Sequence, residues 1–157
     1  MRLVVISDSH RKGHIVEDII KREADARHIF FLGDNTSDIE DFQYLYRDKQ
    51  FHICSGNCDF VKDFPTYDIV SIEGHNILYT HGHEFSVKSS TGVLLQRAHN
   101  LGCDIVLYGH THVALTKYEN GVHIVNPGSC AQSRSGPNSY AVIDIEKSGI
   151  MPIIKTI

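Results

Sequence analysis

Apolar residues along the chain fall into short blocks separated by polar turns, and the spacing inside each block distinguishes strands from helices. Residues 3–6 read Leu-Val-Val-Ile, a continuous run of the kind that forms a strand buried on both faces of a sheet. After Gly13 the pattern changes to Ile15, Val16, Ile19 and Ile20, with Glu17, Asp18, Lys21 and Arg22 between them, which is helical spacing with one charged face. Two more apolar runs, 28–32 and 51–54, stop at Gly33-Asp34 and Gly56-Asn57, and the segment 38–46 between them predicts a short helix. Strand, helix, strand, helix, strand in that order implies parallel strands joined by right-handed crossovers.

The second half changes character. Segments 67–73 and 76–80, split by Gly74-His75, predict a hairpin, and 91–100 predicts a helix carrying Val93, Leu94, Leu95 and Ala98. Strands follow at 105–108, 113–118 and 122–125, the last two joined through Asn120-Gly121, a strong hairpin signal. A Gly, Pro and Ser-rich loop at 126–138 leads to a closing hairpin, 140–145 with 149–154. No repeat or linker interrupts the series. The pattern predicts an α/β chain with a β-rich second half, two sheets face to face and helices outside.

Composition adds limits. The 157 residues fit one domain spanning 1–157, large enough to bury a core without disulfide or metal staples. A formal charge of -4 argues against broad phosphate neutralisation, so no stable nucleic-acid partner is expected. The opening Met-Arg-Leu-Val-Val-Ile-Ser-Asp is too short an apolar run for a signal peptide, and no later stretch approaches 18 apolar residues. The expectation is a cytoplasmic protein with no membrane partner. Cys54, Cys58, Cys103 and Cys130 lack the paired spacing of a zinc ribbon and read as reduced thiols. The anomaly is the presence of 11 histidines.

Several of them sit where apolar runs stop. The run Ile105-Val106-Leu107-Tyr108 ends in Gly109-His110-Thr111-His112, and in an extended segment residues i and i+2 point to one side. Asp8 and His10 repeat that spacing after the first strand, Asp34 and Asn57 follow the second and third, and His81-Gly82-His83 follows the hairpin. Ligands in α/β sheets bind beyond the carboxyl ends of the strands, so these groups would meet in one place. Asp, Asn and His without thiolate form an oxygen and nitrogen donor set suited to Mn, Fe, Co, Ni or Zn. Seven protein ligands are too many for one catalytic ion with an open position, but they serve two ions that share a carboxylate.

In that order and at those separations, Asp8-x-His10, Gly33-Asp34, Gly56-Asn57, His81 and Gly109-His110-Thr111-His112 resemble the calcineurin-like metallophosphoesterase superfamily, in particular its small YfcE-like phosphodiesterase group. The resemblance implies a four-layer α/β/β/α sandwich with a dinuclear metal site at the carboxyl ends of the strands. It places Asp8, His10 and His112 on one metal, Asn57, His81 and His110 on the other, and Asp34 between them. It implies two divalent ions per chain, manganese foremost, with nickel, cobalt, iron or zinc as alternatives. It also implies a small phosphodiester substrate attacked by a metal-bridging hydroxide. Asn57 and His81 then belong to the catalytic group as well.

The sequence departs from many relatives at Cys58, where they carry a histidine that pairs with a following acid and assists the leaving group. Cys58, His83 or water are the candidates for that duty here, a thiol being a poorer proton donor to an alkoxide than a histidine, and the adjacent Asp59 is counted with the catalytic group. Asp59 is also a candidate for orienting Asn57 or a histidine, and Ser129 and Arg134 of the late loop for touching a phosphate. His14, His28, His52, His75, His99 and His123 match no motif position and read as surface or structural residues. Alternatives to a phosphodiesterase are a phosphomonoesterase, a dinucleoside-polyphosphate hydrolase, or a non-enzymatic adaptor like the retromer scaffold subunit. The closing hairpin offers strands for a possible homodimer.

Overall fold

The computed structural model describes residues 1–60 and 63–157. Two five-stranded sheets pack face to face. The first contains β1 (Arg2–Ile6), β2 (His28–Phe31), β3 (Gln50–Ile53), β9 (Ser139–Glu146) and β10 (Gly149–Thr156), in the order β10-β9-β1-β2-β3. The second contains β4 (Tyr67–Ile72), β5 (His75–Thr80), β6 (Ile105–Tyr108), β7 (Leu115–Glu119) and β8 (Val122–Asn126), in the order β4-β5-β6-β8-β7. β1, β2 and β3 run parallel, as do β5, β6 and β8. β9 and β10 extend the first sheet antiparallel, and β4 and β7 edge the second antiparallel.

The continuous apolar runs have a direct cause. Successive residues of a strand point to opposite faces, and here both faces are covered. Leu3 and Val5 of β1 join Phe30, Leu32, Tyr79, Leu107, Val125, Ala141 and Ile143 between the sheets. Val4 and Ile6 point the other way, against Val16, Ile19 and Ile20 of α1 (Gly13–Arg22). On the far side, Leu78, Val106, Tyr108 and Ile124 pack on Leu94, Leu95 and Ala98 of α3 (Gly92–Asn100). The result is the four-layer α/β/β/α sandwich.

The segment 38–46 is not the single helix its spacing predicts. It forms a 3₁₀ turn, Thr36–Asp38, and one helical turn, α2 (Phe42–Leu45). Ile39 is fully buried and Phe42 and Tyr46 pack on the same cluster, so the apolar spacing is used. A segment this short gains too few hydrogen bonds to offset helix nucleation, and the chain breaks at Glu40-Asp41. β7 begins at Leu115 rather than 113 because the Thr111 hydroxyl takes both the N–H and the carbonyl of Val113. The turn of the β4–β5 hairpin lies one residue earlier than expected: Ile72 pairs with His75, leaving Glu73 and Gly74, both at positive φ, as the two-residue loop.

Two unassigned histidines are built into the inter-sheet space. The Nδ1 of His28 lies 3.0 Å from the Nε2 of His52, whose ring stacks on Phe30 with centroids 4.5 Å apart. Burial, reinforced by His28, pushes His52 down to about 4, so the pair is neutral at physiological pH.

Candidate metal centre

The carboxyl ends of β1, β2, β3, β5 and β6 open onto one end of the sandwich, and each delivers side chains there. The loops are tied to one another through the backbone. Asp8 N–H donates to Gly33 O at 3.1 Å, His10 N–H to Asp34 O at 3.4 Å and Gly109 N–H to His81 O at 3.0 Å. Asp8, Asp34, His110 and His112 all adopt left-handed backbone angles, φ 57°, 61°, 67° and 58°. Non-glycine residues in that region cost energy and persist where the surroundings over-determine them, typically at functional sites. Two glycines are required by close approach. A Cβ at Gly56 would sit 2.2 Å from Asp34 Oδ1, and one at Gly109 would sit 2.0 Å from Ser7 Oγ and 3.0 Å from Asp8 Oδ2.

Asp8, His10, Asp34 and His112 bring one ligand atom each to within 4.8 Å of one another. Within this group His112 Nε2 lies 3.1 Å from Asp8 Oδ1 and 3.2 Å from His10 Nε2. A second group adjoins it: Asn57 Oδ1 and His110 Nδ1 are each 3.1 Å from His81 Nε2. Asp34 Oδ1 is 3.5 Å from the same His81 nitrogen, so this carboxylate faces both groups.

Hydrogen bonding on the outer side of two rings decides which atom faces inward with a lone pair. His81 Nδ1 donates to Leu32 O at 2.6 Å and His112 Nδ1 to Gln132 O at 2.7 Å. A carbonyl only accepts, so in each neutral ring the proton sits on Nδ1 and Nε2 is bare. Asp8 Oδ1 is buried with no hydrogen-bond partner, and the bare His112 nitrogen lies 3.1 Å from it. Acceptors from three carbonyl-type oxygens and two imidazoles thus converge. Such a set fits a divalent cation with oxygen and nitrogen preference.

Protonation follows the same geometry. Burial works against the charged form of Asp8, but the facing His112 ring in its doubly protonated form, with His81 and the Ser7 hydroxyl, holds its carboxyl below the usual range. His112 is raised, chiefly because a second proton on its ring would be donated to Asp8. His110 is pushed down to about 4 by burial and by His81 and Lys88, leaving it neutral and able to ligate. Burial and the Asp34 carboxylate push the Cys58 thiol up to about 11, so it is protonated and a reluctant proton donor.

Asp59 is engaged as an orienting residue. Its Oδ2 accepts the N–H groups of Asp34 and Gly56 at 2.9 and 2.7 Å, and its Oδ1 those of Asn35 and Thr36, both at 2.8 Å. Four donors saturate it and pin the Asp34 loop to the Asn57 loop. His83 stands beside the second group, its ring 5.5 Å from His81 and 6.1 Å from His110. Ser129, read from sequence as a phosphate contact, is fully buried; its hydroxyl donates to Asp8 O at 2.7 Å and accepts the N–H groups of Ala131 and Gln132. It holds the first loop to the late one instead. Arg134 is exposed, its N–H donating to His112 O at 3.0 Å, and its charge opposes protonation of His112.

Sequence reasoning missed Ser7 and Asn126. Ser7 Oγ donates to Asp8 Oδ2 at 2.6 Å. Asn126 is fully buried, its amide donating to Gly109 O and Thr111 Oγ1, both at 3.0 Å, while its oxygen accepts Gly128 N–H. A polar residue closing the apolar run 122–125 was the only signal for the second.

The chain is similar to several known proteins. It is 32% identical over 148 residues to the probable metallophosphoesterase YsnB of Bacillus subtilis, covering 93% of this chain and 85% of YsnB. A solved predicted phosphoesterase from Streptococcus pneumoniae superposes with TM-score 0.86 at 29% identity, covering 99% of this chain and 88% of that one. Vacuolar protein sorting-associated protein 29 of Schizosaccharomyces pombe is 32% identical over 125 residues, 76% of this chain and 62% of that protein. The model of the calcineurin-like phosphoesterase superfamily domain matches residues 1–148, and this chain, with its Asp and His cluster at the strand ends, belongs to that superfamily of hydrolases.

Proposed function

We propose that the protein is a metal-dependent phosphodiesterase with two divalent ions, manganese first among them, held by Asp8, His10, Asp34, Asn57, His81, His110 and His112. The observation that carries this reading is Asp34, whose carboxylate belongs to the four-residue group and also lies 3.5 Å from His81 Nε2 of the second group. Bound divalent ions would supply Lewis acidity toward phosphoryl oxygens and lower the pKa of a water molecule.

The chain's own residues set the rest. Asp8 and Asp34 contribute the negative charge that retains cations, and Asp59, Ser7, Ser129 and Asn126 hold the loops in register. The protonated Cys58 thiol gives little help to an alkoxide leaving group, so esters with acidic leaving groups should react best. His83, beside His81 and His110, is the candidate proton donor. The likeness to vacuolar protein sorting-associated protein 29 suggests an adaptor as the second reading, and turnover rather than metal binding separates the two. The proposal extends to one domain in the cytoplasm, without nucleic-acid partner, and to a homodimer through the edge strand β10. Among the described residues no helix is long and apolar enough to cross a membrane.

The test is hydrolysis of a chromogenic aryl phosphodiester and the matching monoester by metal-stripped protein, with Mn, Ni, Co, Zn or Mg restored singly. Metal-dependent turnover favouring the diester is expected. Stoichiometric metal binding without turnover by any ion would transfer the reading to the adaptor.

A further inference from the structure

Phe60 is 97% exposed, the most exposed large apolar side chain described, and it follows directly on Asn57, Cys58 and Asp59. Leaving a phenyl group in water forgoes about 2–3 kcal/mol of burial, so its position at the rim of a hydrolytic site calls for a partner. Two cavities meet at this ring. One, about 350 Å³, is lined by His10, Arg11, Asn35, Cys58, Phe60 and Gln132. The other, about 290 Å³, shares Asn35, Cys58 and Phe60 but adds Glu40, Asp59 and Asp63.

The charges assign the two sides. The Glu40 and Asp63 carboxylates make the second cavity hostile to a phosphate, whereas the first is lined by Arg11 and reaches the proposed ligand His10. A phosphodiester seated at the metal centre would therefore extend through the first cavity, with one ester substituent arriving at Phe60. Stacking on an exposed ring suits a planar aromatic group and gains nothing from a small alkyl one.

Resting on the phosphodiesterase reading, we propose that Phe60 is a stacking platform that selects phosphodiesters bearing a planar aromatic substituent, a nucleobase being the biological form. Phe60 touches the substituent and not the reacting phosphorus, so it sets binding and leaves the chemical step alone.

The experiment uses two diesters with one leaving group, the p-nitrophenyl ester of thymidine 5′-phosphate and methyl p-nitrophenyl phosphate, on protein loaded with the activating metal. Phe60→Leu keeps apolar bulk and removes the aromatic face. It should raise KM for the thymidine ester about ten-fold, on the scale measured for loss of base stacking, with kcat unchanged and with less than about two-fold effect on the methyl ester. Phe60→Trp should restore the low KM. Equal shifts for both esters, or none, would overturn the proposal.

Because the chain contains no tryptophan, Phe60→Trp also creates a single emission reporter. Thymidine 5′-phosphate should quench it saturably where methyl phosphate does not, and absence of that difference counts against the platform whether or not the protein turns over. Quenching without turnover would instead refute the phosphodiesterase reading alone.

Discussion

Removing the Asp59 carboxylate should cost more stability than any exposed acid in the chain. It is 8% exposed and accepts four backbone N–H groups at 2.7 to 2.9 Å, three of them fully buried bonds. Asp59→Ala leaves those donors facing a small void. At about 1–3 kcal/mol per unsatisfied buried donor, and with water entering to satisfy roughly half of them, the net loss is about 4 kcal/mol. That is a large share of a typical domain's total stability, and for a chain of this length it lowers Tm by about 8–16 °C. The assay is thermal and urea unfolding of metal-stripped protein, so that altered metal binding does not contribute. Asp59→Asn should recover only part of the loss, because its amide group turns donors toward donors. Asp41→Ala, at an exposed acid, is the control and should stay within about 0.5 kcal/mol of wild type. If metal-stripped Asp59→Ala melts within about 2 °C of wild type, the carboxylate is not the clamp between the two loops.

Three further outcomes follow from the same geometry. Gly109→Ala places a Cβ against Ser7 Oγ and Asp8 Oδ2, so isothermal titration should show metal affinity reduced about ten-fold or more, with a stability loss of about 1–3 kcal/mol; unchanged affinity would mean the Asp8 loop yields freely. His52, held near 4 when folded against an ordinary 6.5, binds a proton more readily in the unfolded chain. Stability is therefore fully present above pH 6.5 and declines as pH falls toward 4, by about 2 kcal/mol after allowing for partial exposure, and His52→Phe should flatten that slope in urea titrations of chelator-treated protein. Cys58→His should raise turnover of alkyl or monoester substrates more than of aryl diesters, since the thiol at about 11 is a poor acid; equal effects on all substrates would remove Cys58 from leaving-group chemistry.

The sequence by itself determined the elements and their order. Runs such as 3–6 and 105–108 are apolar at every position because both faces of each sheet are covered, and α1 and α3 show helical periodicity because only one face is. Asn120-Gly121 announced a hairpin because both turn residues need positive φ. The candidate ligands were legible for a related reason: polar residues that halt buried strands at a common edge stand out against an apolar background.

Only the tertiary structure decided what each polar residue touches. Asp59 could equally have been an orienting or a turn residue and Ser129 a phosphate contact, yet Asp59 is saturated by backbone N–H groups that include the distant Asn35 and Thr36, and Ser129 is tied to the distant Asp8 carbonyl. Ser7 and Asn126 escaped notice because a hydrogen bond to Asp8 or Gly109 leaves no periodic mark in the chain. Within 38–46 only Phe42–Leu45 became α-helical, a balance between nucleation and packing that pattern does not measure. Local periodicity encodes which face is buried; partnership across the fold arises only when two sheets close and place separate loops within hydrogen-bond reach.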